Sequence, residues 1–192
     1  MKYLITIIMF AASWMVQAQI VISHNARLSF FSEAPIENIN AESNTGVSAL
    51  NLSTNTIYFK VFMSSFEFKK SLMQEHFNEN YMESSKYPTA EFNGKIKDQI
   101  DLTKDGTYPV TVQGKLSIHG VTKDYIVKAE LKVTGGEISA SSTFPVKLVD
   151  HEIKIPRLVI KNIAEIVQVT VSAQYKPDSK GAYQTYASPK MK

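Results

Sequence analysis

Few residues of this chain have the types and spacing that chemistry needs. There are four histidines (His24, His76, His119 and His151) and no cysteine. The missing cysteines exclude thiol catalysis, disulfides and thiolate metal sites. His76 and Glu79 are three residues apart in a segment of helical pattern, which could set two metal ligands on one face. A metal centre needs three or four such groups with second partners behind them, and nothing in the sequence brings others near. Glu75, Glu79 and Glu83 read as a solvated helix face. His119 falls on the polar side of a strand, where hydrogen bonding within the turn before Gly120 is expected. No Gly-x-Ser-x-Gly elbow, phosphate loop or dinucleotide fingerprint appears. Asn51-Leu52-Ser53 matches a glycosylation sequon, a pattern common by chance. No residue is therefore assigned a catalytic or metal-binding role. What the sequence has in abundance is phenylalanine and aliphatic residues at regular spacing, the material of a core or of a dry binding cavity.

The elements that would position them are strands. Residues 107–122, TYPVTVQGKLSIHGVT, put Tyr108, Val110, Val112, Leu116 and Ile118 on one face and polar groups on the other. That period of two belongs to a strand with one dry and one wet side. The pattern recurs at residues 20–24, 27–32, 36–41, 46–52, 55–63, 89–97, 125–133, 138–148 and 163–175. Residues 53–55 and Gly135-Gly136 read as hairpin turns, and residues 119–124 as a tight connection. Pro145 on the polar side of its strand indicates an edge or a bulge. Such an edge could pair with a second copy, giving a homodimer, or be capped.

Residues 71–81, SLMQEHFNENY, break the alternation. Leu72, Met73, His76, Phe77 and Tyr81 have helical spacing, and Ser71 followed by Gln74 suggests a capping box. The fold class is thus all-β: an antiparallel assembly of about eight strands with one short amphipathic helix. A sandwich and a closed barrel both satisfy this pattern. Eight strands closed on themselves leave an interior that side chains fill or that holds one small ligand. Inward positions mix large residues (Phe59, Phe92, Phe144) with small ones (Ala90, Gly114, Ala140), so space could remain.

The 192 residues suit one domain, with a net charge of +3 and interspersed acids and bases. No basic block supports nucleic-acid binding. Lys2, a short apolar run and Val16-Gln17-Ala18 have the form of a secretory signal, with cleavage expected after Ala18 and a periplasmic or secreted destination. The run is shorter than a membrane span, so no stable membrane anchor is expected. Residues 19–175 form the expected domain, and residues 176–192 read as a polar tail.

The motifs then carry a family likeness. His76-Phe77, Lys86-Tyr87-Pro88, Ala90-Glu91-Phe92, Tyr108-Pro109-Val110 and the stretch from Leu116 to Thr122 occur in one order. In that order and spacing the sequence resembles the YceI-like family of exported bacterial proteins. The resemblance implies a lipocalin-like antiparallel β-barrel whose apolar lumen holds a polyisoprenoid, a quinone, a fatty acid or a similar long-chain lipid. It implies no catalytic cofactor, and it associates the family with membrane b-type cytochromes as partners. On this reading the candidate lumen residues are Phe30, Phe59, Phe66, Leu72, Phe77, Tyr81, Phe92, Val112, Leu116 and Phe144, with the helix as a flap. Two other readings stand beside a lipid carrier. One is an exported interaction module with a filled core. The other is an enzyme acting on a lipid or quinone, which would need a polar cluster inside the lumen.

Overall fold

The computed structural model describes residues 20–33, 38–154 and 164–176. The signal segment and its cleavage site, the strand start at residue 36, residue 163 and the tail from residue 177 lie outside the described residues.

The described residues form nine antiparallel strands: β1 (Ile20–Ser32), β2 (Ile39–Asn51), β3 (Thr56–Phe62), β4 (Glu67–Phe68), β5 (Thr89–Ile96), β6 (Gly106–Ile118), β7 (Val121–Thr134), β8 (Glu137–Lys147) and β9 (Ile166–Tyr175). Eight of them close into a barrel in the order β1-β9-β8-β7-β6-β5-β3-β2, with β1 pairing back onto β2. The two-residue β4 attaches to the outer end of β2, at Ala41 and Glu42. Closure removes the sheet edges that an open sandwich would leave, and it settles the choice the sequence left open.

Two pairs of expected strands are each one strand. Residues 20–24 and 27–32 join as β1, which crosses Asn25 through register shifts on either side of Ala26. Such bulges bend a strand without ending it. β2 likewise runs through Ser43–Thr45 without a break. Gly46 lies opposite Ala26 at the bulge, and a Cβ there would collide with the Leu28 side chain. The β6–β7 connection is shorter than expected. His119 and Gly120 both take positive φ (53° and 74°), and β7 begins at Val121. Two consecutive left-handed residues make the hairpin turn whose twist matches the strands it joins.

The expected helix is present as α1 (Ser71–His76), continued by a π turn over Phe77–Tyr81. No capping box forms. Lys70 takes the cap position, and its carbonyl accepts from the amides of Met73 and Gln74. The widened turn is closed by the Met82 amide donating to the Phe77 carbonyl at 2.9 Å, five residues back.

The two ends of the barrel differ. At the end holding the β2–β3, β7–β8 and β5–β6 connections, β2 stays paired with β3 and β7 with β8 as far as their turns. At the other end two pairs diverge. β2 pairs with β3 only from Val47 onward. β7 pairs with β8 only from Ala129 onward. Pro145 sits in the second gap, on a stretch of β8 that pairs with β9 alone. Its missing N–H therefore costs no ladder bond, as the edge expectation required. A 3-10 turn (Leu148–His151) caps this gap.

Candidate ligand-binding cavity

The inward faces do not fill the barrel. A cavity of about 370 Å³ runs from the diverging end down the interior. Its floor is set by packing. Below the level of Leu131 and Ala140, the inward residues Val21, Leu50, Val133, Ile138, Ala173 and Tyr175 are buried and line no part of that cavity. Tyr175 is 1% exposed and Leu50 0% exposed, so this end is sealed. A buried phenol needs a partner. Ser48 Oγ donates its one proton to the Tyr58 carbonyl at 2.8 Å. The Tyr175 hydroxyl, 2.6 Å from Ser48 Oγ, must then be the donor to it. Burial holds the Tyr175 phenol well above its ordinary pKa, so it stays protonated as this geometry requires.

The wall is aliphatic and aromatic. Phe59, Phe92, Val112, Leu116 and Phe144 project into the space, each from a strand whose alternate residues face solvent. Gly94 and Gly114 lie opposite each other on β5 and β6. A Cβ on Gly114 would sit 2.8 Å from the Phe92 ring and 2.5 Å from the Asn93 carbonyl. The Phe92 ring therefore lies flat against a wall that only glycine makes thin enough. The small residue at Gly114 accommodates Phe92, and it is Ala90 and Ala140 that border open space.

Two serines along this wall are already engaged. Ser142 Oγ donates to the Lys128 carbonyl at 2.6 Å, and Ser32 Oγ accepts from the Ala164 amide at 3.1 Å. Glu91 borders the cavity, but Lys60 holds its carboxylate on the outer face at 2.9 Å. That ion pair, with a second bond from Tyr58, keeps the Glu91 pKa low, while burial and Glu91 together push the Tyr58 phenol up to about 12. Among the described residues, no buried side-chain polar atom lacks a partner. The lumen offers little to a reacting polar group and much to a hydrocarbon.

The helix lies across the mouth. Phe30, Phe66, Phe68 and Phe77 form a cluster with neighbouring ring centroids 5.0–5.8 Å apart. Each such pair adds about 0.5–1.5 kcal/mol beyond area burial. The π turn keeps Phe77 and Tyr81 on the inner side together with Met73, and Met82 follows them into the core. His76 and Tyr81 are the polar groups that the helix brings to this rim. Burial raises the Tyr81 pKa, so its hydroxyl is a donor at neutral pH.

A second cluster fastens the mouth. His119 Nε2 lies 2.8 Å from Glu83 Oε2, and its Nδ1 lies 3.3 Å from the His151 carbonyl. The His119 ring packs on Tyr87 with centroids 4.4 Å apart. His151, fully buried, places Nδ1 3.1 Å from the Val121 carbonyl and Nε2 3.0 Å from the Tyr125 hydroxyl. A carbonyl only accepts, so Nδ1 carries the proton and Nε2 accepts from Tyr125. This corrects the expectation for His119. Its ring ties the segment after the helix to the β6–β7 turn and to the 3-10 turn, instead of bonding within its own hairpin. Glu83, expected on a solvated face, is half of that tie.

Nine of the ten candidate lumen residues border the cavity: Phe30, Phe59, Phe66, Phe77, Tyr81, Phe92, Val112, Leu116 and Phe144. Leu72 does not. It is 59% exposed, at the margin of the helical stripe, and Met73 takes the inward position. Phe68, Met82, Ile153 and the Ser48–Tyr175 floor were not legible as site residues. β4 is two residues long, too short for alternation to show. Met82 follows a turn whose widening shifts the helical phase. Ser48 reads as any serine on a strand until its partner 127 positions away is placed beside it.

The barrel has known counterparts. A polyisoprenoid-binding domain from Saccharophagus degradans, implicated in plant cell wall breakdown, matches with a TM-score of 0.70 at 13% identity, over 83% of this chain and 99% of that one. BcnA of Burkholderia cenocepacia matches with a TM-score of 0.66 at 14% identity, over 78% and 95%. The YCEI protein of Campylobacter jejuni matches with a TM-score of 0.53 at 17% identity, over 68% and 80%. At these identities the likeness is one of fold. No curated protein matches the sequence. The model of the YceI-like domain matches residues 16–175, which takes in every barrel strand and the whole mouth, and the chain belongs to that family.

Proposed function

We propose that this protein is an exported, non-catalytic binding protein that holds a polyisoprenoid or another long-chain lipid in its barrel. The observation that carries the reading is the cavity: dry, sealed at one end, and walled along its length by apolar side chains. Burying an alkyl chain there releases about 0.8 kcal/mol per CH2 group, so affinity needs length and dryness instead of a reactive group. A filled-core module would have no use for such a space. The family membership and the description of the Saccharophagus degradans domain as polyisoprenoid-binding support the same ligand class. Export rests on the leader-like first 18 residues.

The test is mass spectrometry of an organic extract of protein recovered from the periplasm of an expressing bacterium. A co-purifying polyprenol, quinone or fatty acid is expected. Phe92→Asp, which sets a charge on the wall, should abolish uptake while the barrel still folds. Protein that carries no lipid and takes up neither polyprenols nor fatty acids would refute the reading.

A further inference from the structure

We infer that the Tyr175–Ser48 floor is a ruler that fixes how much of an apolar chain the barrel can take, at about 12 to 16 backbone carbons. The inference rests on the lipid-holding reading and adds a length to it. The cavity has one open end, because the layer of Val21, Leu50, Ile138 and Tyr175 blocks the other. A chain must therefore enter and leave through the mouth and end against this layer.

The depth follows from the strands. Residues bordering the cavity run from Ala90 to Ile96 on β5 and from Val110 to Ile118 on β6, six and eight steps. At about 3.4 Å per step and a tilt of about 40°, those runs span roughly 15–21 Å along the barrel axis. An extended alkyl chain, with C–C bonds of about 1.52 Å at near-tetrahedral angles, advances about 1.25 Å per carbon. The lumen thus takes about 12 to 16 carbons, the reach of a common fatty acyl chain or of three to four isoprene units. A longer polyprenol must leave its remainder, with its head group, at the rim beside His76 and Tyr81.

What makes the floor a fixed stop is its chemistry. Tyr175 cannot swing aside without breaking its bond to Ser48, and Ser48 is itself held by the Tyr58 carbonyl. Directly above it, Ala140 faces Leu131 and Ala173 across the two neighbouring strands. A larger side chain at Ala140 would raise the stop, and a smaller one at Tyr175 would lower it.

The experiment offers the full-length mature protein a series of saturated fatty acids and linear prenols of 8 to 24 backbone carbons, each competing with a fluorescent apolar probe. Affinity should rise about fourfold per added carbon while each carbon is buried, and then level off near 12 to 16. Tyr175→Ala removes one layer of about 5 Å and should move the break up by about four carbons. Ala140→Leu should move it down by about two to four carbons. Should Tyr175→Ala fail to fold, Ala140→Leu decides alone. A break that stays put in the folded variants, or a wild-type series with no break, overturns the ruler while leaving lipid binding intact. A wild-type protein that takes up no member of the series overturns both.

Discussion

The two ends of the barrel are built from the same alternating strands and do opposite things. At the sealed end, β2 stays paired with β3 to Asn51–Thr56, and β7 stays paired with β8 to Thr134–Glu137 across the two-residue Gly135-Gly136 turn. Side chains there meet and leave no space. At the open end, β2 parts from β3 and β7 parts from β8, and the gaps are covered by short pieces: the two-residue β4, a helix, a π turn and a 3-10 turn. Paired backbone satisfies itself and packs tightly. Diverging backbone has to borrow partners, as Val121 does from His151. A barrel becomes a container when one end packs shut and the other is only covered.

The comparison predicts unequal costs. Tyr175→Ala should lower stability by about 3–5 kcal/mol, the range for deleting a fully buried aromatic. Phe77→Ala, from a half-buried ring of the mouth cluster, should cost about 1–2 kcal/mol, since less area returns to water. Chemical denaturation reads both. Equal costs would make the mouth as much a part of the core as the floor is. Native-state hydrogen exchange should show the same ranking, with amides of the helix opening at lower free energy than those of β6 and β7.

Gly114→Ala falls between the two. The new Cβ meets the Asn93 carbonyl and the Phe92 ring, so about 1–3 kcal/mol of strain is expected. The ring can relieve it only by moving into the lumen. Uptake of a long-chain fatty acid should therefore fall in a protein that still folds. Unchanged uptake would mean that the wall, not the ring, gives way.

The barrel wall was far more legible in the sequence than the mouth. Alternation is a backbone property, and it survives in any strand long enough to show it, which is why Val110, Val112 and Leu116 could be placed before any contact was known. Closure was not legible in the alternation, which a sandwich and a barrel share; the family resemblance is what implied it. The mouth escaped for a different reason. Its groups act singly: Glu83 on His119, His151 on Val121, Phe68 on Phe77. None belongs to a repeat, and each acquires its role from a residue outside its own element. The His-Gly turn at residues 119–120 shows this well. Its spacing marked the family, yet its physical role, joining three segments across the mouth, exists only in three dimensions.

The smallest expected effect separates the ends by pH. Burial holds the His151 pKa below its ordinary value, a shift that its bond to the Val121 carbonyl and the nearby Asp150 oppose and Lys123 reinforces. Folded His151 is therefore neutral where the unfolded chain, titrating near the ordinary value of about 6.5, already binds a proton. Below that pH the unfolded state holds more protons, so stability falls as pH drops and levels off once folded His151 protonates too. Protonation also removes the acceptor that the Tyr125 hydroxyl uses, so the loss should be local to the mouth. Hydrogen exchange, corrected for its intrinsic pH dependence, should show residues 121–125 and 148–152 losing protection between pH 7 and pH 5, while β6 and β7 near Val110 and Leu131 keep theirs. His151→Gln should flatten that dependence. Loss of protection at both ends alike would mean that acid loosens the barrel as a whole and that the mouth is not an independent unit.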